Sequence, residues 1–226
     1  MPFYVQRALH LYAIDLVVDI GANRGQFGTE LRLGGYRDAL VSFEPIPECR
    51  DALADVAARH GGWQVRGEAL GENDAAAVPM NVAAWDQVSS FLETKPEVMA
   101  AFGDSYGVSR VESVPMARLD TIWDSIVPTG AKIMLKTDAQ GYDMRILRGA
   151  GEKLSLVSCI LMEVGMRPAY IGSDNGLGGV LSFLDDFGFR LAALSSAAHG
   201  RAVSPSLALG DADAFFVRPT LQQVFE

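Results

Sequence analysis

The run Val17-Val18-Asp19-Ile20-Gly21-Ala22-Asn23-Arg24-Gly25-Gln26-Phe27 constrains the fold more than any other part of the chain. A buried-type strand enters a glycine-containing turn and leaves as an amphipathic segment, Gln26 to Leu33, that reads as a helix. Glycine at 21 and 25 lets the backbone turn sharply and approach a ligand with no Cβ in the way. The helix start offers free N–H groups. Asp19 stands at the carboxyl end of the strand, where open α/β sheets bind ligands.

Three more apolar runs end in a polar residue: Ala39 to Glu44, Ile133 to Asp138 and Ser158 to Glu163. Short continuous apolar runs suit strands buried on both faces, as in a parallel sheet. Helical patterns separate them at Pro47 to Arg59, Asp143 to Leu154 and Leu177 to Phe187, which implies βαβ units. A third strand is expected to end near Glu68-Ala69-Leu70-Gly71. Late in the chain, Phe189 to Leu194 and Ala214 to Val217 read as two antiparallel strands with no helix between them. The expectation is one α/β domain over residues 1–226. Its sheet is mostly parallel, with one antiparallel strand near the C-terminus and helices on both faces. The stretch 73–123 is too long for a plain connection and is expected to be a lid or substrate insertion, with strands near Val78–Met80 and Val111–Met116. Its segment Trp85 to Leu92 mixes aromatic and polar groups and is a candidate substrate face.

The net charge of -9 argues against a broad nucleic-acid footprint, which needs surplus Lys and Arg. Two cysteines, Cys49 and Cys159, make no disulfide framework. The N-terminus lacks a signal-like or membrane-spanning apolar stretch, so a cytoplasmic protein with no membrane partner is expected. Phe3-Tyr4 and Leu9-Leu11-Tyr12 form an apolar stripe suited to packing on the core or on another copy of the chain.

A dinucleotide site wants Gly-x-Gly-x-x-Gly, but Asn23 occupies the second glycine's place. The acidic residue before the first glycine suits the cationic amino group of a methionyl moiety better than a pyrophosphate. S-Adenosylmethionine is therefore expected rather than NAD, with S-adenosylhomocysteine as product. The candidate contacts are Asp19, Gly21, Asn23, Gly25, Gln26 and Phe27 on the first turn. Glu44 and Pro45 follow on the second, where Glu44 can accept both ribose hydroxyls. Glu68 and Ala69 would border the adenine, and Asp138 is a further candidate contact.

At this point the chain resembles the FkbM methyltransferases. Asp19 to Phe27, Phe43-Glu44-Pro45 with Pro47-Glu48, and Glu68 to Gly71 are similar to that family's first three motifs. Leu119-Asp120, Lys136-Thr137-Asp138-Ala139-Gln140-Gly141-Tyr142-Asp143 and Ile146 to Ala150 resemble its central signature. Leu161 to Val164 resembles the strand that follows. The chain departs from the pattern at Gln140, where the family often has an acidic residue, and at Asp143, where Glu is common. No carboxylate role is carried over to position 140. The resemblance implies a Rossmann-like class I methyltransferase fold, S-adenosylmethionine as donor, and O-methylation of a sugar or polyketide-type hydroxyl.

An alkyl hydroxyl is a poor nucleophile at neutral pH, so a base should stand at the sheet edge. Asp138 is the first candidate. Lys136 lies two residues earlier on the same strand face and is expected to pair with it. Glu163 ends the next strand, and His199 lies in the late loop. Asp138 with Glu163 could hold Mg²⁺, but no compact carboxylate cluster or zinc-type spacing is visible, so no metal is expected. The competing readings are N- or C-methylation on the same scaffold, a nicotinamide enzyme, and a non-catalytic binding protein.

Overall fold

The structure is a computed structural model that describes residues 1–196 and 211–219. Helix α1 (Phe3–Leu11) precedes β1 (Leu16–Ile20), α2 (Gln26–Leu33), β2 (Ala39–Phe43), α3 (Pro47–Ala57) and β3 (Trp63–Arg66). After the central excursion come β7 (Ile133–Thr137), α6 (Asp143–Ala150), β8 (Val157–Gly165), α7 (Leu177–Asp186), β9 (Arg190–Ser196) and β10 (Asp211–Val217). These strands form one seven-stranded sheet in the order β3-β2-β1-β7-β8-β10-β9. All neighbours are parallel except β10, which runs antiparallel to both β8 and β9. The expected architecture is present.

Burial explains the continuous apolar runs. Every residue of β1 and β7 is buried, so both faces need apolar cover. On one face Val17 packs with Val5 and Leu9 of α1, Leu31 of α2 and Leu53 of α3. On the other, Val18 and Leu135 pack with Ile146 and Leu147 of α6 and Val180 and Leu184 of α7. Within the α1 stripe, Val5, Ala8 and Leu9 are buried, while Phe3 and Leu11 remain exposed.

Three boundaries differ from the sequence pattern. The third strand of the main sheet is Trp63–Arg66, in register with Leu40–Phe43. Ala69–Gly71 is a separate short strand, β4, because the chain breaks at Gly67, where Arg50 fills the space a Cβ would need. The helix from Asp143 stops at Ala150, since Gly151 turns into positive φ and a 3₁₀ segment follows. The third difference is in the excursion, which is more regular than its composition suggests. β5 (Ala75–Ala83) and β6 (Val108–Arg118) are a long antiparallel pair, and β4 joins β6 to complete a second sheet, β4-β6-β5. Pro79 is tolerated because β5 is an edge strand. The pair feeds α5 (Leu119–Ile126), and Met80, Val82, Val114 and Met116 share the core of the main sheet.

Between β5 and β6, residues 84–107 form a tip containing the short helix α4 (Pro96–Phe102). The tip is fastened to the carboxyl edge of the main sheet. Ser90 donates to the carbonyl of Gln140 at 2.8 Å, Tyr170 donates to the carbonyl of Val88 at 2.9 Å, and the Lys95 N–H bonds the carbonyl of Ala169 at 2.9 Å. Among the described residues no helix is long and apolar enough to cross a membrane.

Candidate active site

Sheet order reverses between β1 and β7, so their carboxyl ends open a crevice at the topological switch point. Gly21 (φ +71) and Gly25 (φ +84) shape the turn after β1. A Cβ at Gly21 would lie 2.1 Å from the carbonyl oxygen of Asp138, and one at Gly25 would meet Leu53 and Trp63. This corrects the expectation that the missing side chains make room for a ligand. They let the β1 turn pack on the β7 turn and on α3. Asn23 also adopts positive φ, as Asn tolerates better than most residues.

Asp19 is fully buried, and its cation is Lys136. The Lys136 Nζ lies 3.1 Å from Asp19 Oδ1, donates to the Gly21 carbonyl at 3.0 Å, and is 4.0 Å from Asp138. Ser42 donates to the other Asp19 oxygen at 3.2 Å and accepts from the Trp63 indole at 3.0 Å. Lys136 is therefore paired first with Asp19, a residue 117 positions away that lies beside it in register, rather than with Asp138. Lys136 thus occupies one Asp19 oxygen and Ser42 the other. Burial alone would lower the Lys136 pKa, but Asp19 and Asp138 outweigh it and hold the ammonium charged. Lys136 cannot accept a proton in that state, and it acts by joining two strand ends.

Glu44 closes β2 and is 4% exposed. One carboxyl oxygen accepts the Asn23 N–H and the other the Ile46 N–H, both at 2.8 Å. Burial pushes its pKa up to about 7 against the pull of those two bonds and of Lys136. Each oxygen keeps a further lone-pair direction. Pro45 is buried beside it. Gln26 bridges the turn, donating to Asn23 Oδ1 at 2.9 Å and accepting from the Arg24 N–H at 3.0 Å. The Phe27 ring lies 5.8 Å from the Lys136 ammonium. Glu68 is committed to Arg66, and Ala69 is buried in β4.

The tip brings in Asp86, which the sequence marked only as part of the candidate substrate segment Trp85 to Leu92. Asp86 accepts from the Asn23 side chain at 3.2 Å and from Arg24 at 2.7 Å, above the glycine turn. Partial burial would raise its pKa, but bonds from Arg24, Asn23 and Cys49 outweigh this and hold it below the ordinary value.

On the far side of the crevice, Asp138 has a side chain 44% exposed. Gln140, at φ +50, donates its amide to Asp138 at 2.8 Å and lies 3.4 Å from Glu163. The single Tyr170 hydroxyl proton is shared between the Val88 carbonyl at 2.9 Å and the Gln140 side-chain oxygen at 3.0 Å. Glu163 is largely buried. That burial, together with Asp138, Asp211, Asp143 and Asp213, raises its pKa to about 9, so it holds its proton at neutral pH. Asp143 is fully buried and accepts from Thr137 at 2.6 Å and from the Ala139 N–H at 2.9 Å, which fixes the turn after β7. Asn175 bonds both Asp143 and the Met144 N–H. Among the described residues no group of three metal-ligating side chains is present. His199 lies outside the described residues.

The carboxyl edge therefore presents, in sheet order, Glu44 (β2), the Gly21 turn (β1), Asp138 (β7), Glu163 (β8) and Asp211 (β10). Asp19, Glu44, Asp138 and Glu163 were legible as strand-end residues. Tyr170 and Asp211 were not, and Asp86 was marked only within the segment Trp85 to Leu92, because only the folded tip and the antiparallel pairing bring them to this edge.

Among solved structures the chain is similar to Aeropyrum pernix fibrillarin with natively bound S-adenosyl-L-methionine. The identity is 13% over 90% of this chain and 66% of that one, with a TM-score of 0.49. It is also similar to M. capricolum TrmK in complex with S-adenosyl-homocysteine, at 6% identity over 97% and 70% of the two chains and a TM-score of 0.49. A TehB-like SAM-dependent methyltransferase from Corynebacterium glutamicum is 10% identical over 95% and 86%, with a TM-score of 0.43. Likenesses this distant carry no inference about chemistry. No curated protein matches the chain in sequence. Residues 19–191 match the family model described as the methyltransferase FkbM domain. That match runs from the end of β1 into β9 and takes in every strand-end carboxylate from Asp19 to Glu163, and the chain accordingly belongs to the FkbM methyltransferase domain family.

Proposed function

We propose that the chain is an S-adenosylmethionine-dependent O-methyltransferase acting on a hydroxyl of a small molecule, a sugar or a glycosylated or polyketide-type natural product. The observation that carries this reading is the division of the carboxyl edge into two halves. Glu44 and the Gly21–Gly25 turn lie on the β2–β1 side, and Asp138 with Glu163 on the β7–β8 side.

The donor half fits an adenosyl group by its chemistry. The free lone pairs of Glu44 suit a ribose diol, and its two backbone bonds hold the carboxylate still. Asn23 and Gln26 form the adjoining wall. Asp138, beside Gly21, is a partly exposed carboxylate where a sulfonium would benefit from negative charge. When bound, the sulfonium supplies an activated methyl group and a good leaving group.

The acceptor half orients the hydroxyl and removes its proton. In-line transfer needs the acceptor oxygen at roughly 3 to 3.5 Å from the methyl carbon. The S–CH₃ bond breaks as the O–CH₃ bond forms, and the hydroxyl proton passes to Asp138, whose exposure lets it leave to solvent. Glu163, protonated at neutral pH, serves as a hydrogen-bond donor rather than the base. Tip residues 84–107 touch the donor turn through Asp86 and the acceptor side through Ser90, which supports their role as a lid across both halves.

Asp138→Asn tests the assignment. With S-adenosylmethionine and an accepted hydroxyl compound, kcat is expected to fall by roughly 10²–10⁴, with unchanged affinity for S-adenosylhomocysteine. Full turnover in this variant would remove Asp138 as the base.

A further inference from the structure

The turn between β1 and α2 is held in part by a distant piece of the chain. Asn23 sits at φ +47, in the left-handed region, which costs a non-glycine residue free energy unless its surroundings fix it. Its N–H donates to Glu44 at 2.8 Å. Its side-chain oxygen accepts from Gln26 at 2.9 Å, and its side-chain amide donates to Asp86 Oδ1 at 3.2 Å. Gln26 belongs to the same turn, whereas Asp86 comes from the tip, 63 positions later.

The tip presents Asp86 from a braced loop. Asn81 and Ser90 exchange two backbone bonds at 3.0 Å each and close residues 81–90 on themselves. Within that loop the Val88 N–H bonds the Trp85 carbonyl at 3.0 Å and the Ser89 N–H bonds the Asp86 carbonyl at 3.1 Å. The Ser89 hydroxyl oxygen accepts the Ala83 N–H at 3.1 Å. Val88, Ser89 and Ser90 are buried. The Asp86 carboxylate therefore reaches Asn23 already oriented, and holding it costs little further ordering.

The other bonds of Asp86 are weaker grounds for its place. The Arg24 side chain is 50% exposed, and an ion pair in water is worth little. The Cys49 thiol is a weak donor and lies at 3.5 Å. The Asn23 bond reaches the site itself, because Asn23 and Ile46 supply the two backbone N–H groups that Glu44 accepts. Burial disfavours charge on Glu44, and those two bonds oppose it. Were Asn23 to drift, Glu44 would lose one of them and become a less charged, less fixed partner for a ribose diol.

We infer that Asp86 is a positioning residue for donor binding: it holds Asn23, and through the Asn23 N–H it sets the Glu44 carboxylate. The inference rests on the assignment of Glu44 to the donor ribose.

Calorimetric titration of the full chain with S-adenosylhomocysteine tests it, with chemical unfolding of each variant to report folding separately. Asp86→Ala should weaken binding about three- to tenfold. Asp86→Asn keeps an oxygen for the Asn23 amide while giving up the Arg24 ion pair, and its affinity should return to within about twofold of the parent. In a Glu44→Ala background, Asp86→Ala should change affinity by less than about twofold, since a residue that acts through Glu44 has nothing left to set. Parent-like binding in Asp86→Ala, a loss as large in Asp86→Asn as in Asp86→Ala, or full additivity with Glu44→Ala would overturn the inference and leave the donor site standing. A parent chain that does not bind S-adenosylhomocysteine, or a Glu44→Ala chain that binds it as tightly as the parent, would bring down the donor reading and this inference with it.

Discussion

At the residue scale, the site separates its carboxyl groups by environment. Glu44 is buried but held by two backbone N–H groups, and its pKa rises to about 7, whereas Glu163 sits among other carboxylates and rises to about 9. Both acids bind a proton more tightly folded than unfolded. Their contributions to stability are complete below the ordinary value of 4.5 and are lost as pH rises through the folded values. The parent protein should therefore lose stability across the range from pH 4.5 to 9. Glu163→Gln cannot ionise. In denaturant titrations it should keep the slope up to about pH 7 that Glu44 produces. It should lose much of the further decline toward pH 9, a difference on the order of a few kcal/mol. An unaltered decline in the variant would mean that Glu163 ionises freely. Legibility at this scale followed sequence distance. Glu44 was readable because it follows its own strand directly. Lys136 invited pairing with Asp138 two residues on, yet strand register gave it Asp19 instead.

At the scale of elements, the two turns of the switch point behave as one unit. Gly21 lies so close to the Asp138 carbonyl that the β1 turn and the β7 turn must move together. Gly21→Ala combines a φ of +71 with a direct overlap on backbone. It should cost at least about 2 kcal/mol in chemical unfolding and should also weaken donor binding by displacing Asp138. Near-parent stability would show that the two turns can separate cheaply. The main strands and helices were legible because burial on both faces leaves continuous apolar runs, and helices leave a 3.6-residue stripe. The second sheet was legible only in part: the strands expected near Val78–Met80 and Val111–Met116 lie inside β5 and β6, but their pairing and full length were not. β5 and β6 are exposed over much of their length, and their pairing spans more than twenty intervening residues, so no local pattern announces it. β4 is three residues long and takes its meaning only from β6.

For the whole molecule, one core spans both sheets, so the excursion is anchored in the same packing that fixes the reaction edge. Its tip touches both halves of that edge, while the antiparallel β10 delivers Asp211 to the end of a sheet otherwise built from parallel strands. The central claim is that the edge from Glu44 to Asp138 holds the adenosyl group of S-adenosylmethionine and of its thioether product. Calorimetric titration of the full chain with S-adenosylhomocysteine, against NAD as control, tests it most directly. The account predicts a dissociation constant in the micromolar range, about -8 kcal/mol, at least tenfold weaker binding in Glu44→Ala, and no binding of NAD. A chain that ignores S-adenosylhomocysteine, or binds it equally well without the Glu44 carboxylate, would contradict it.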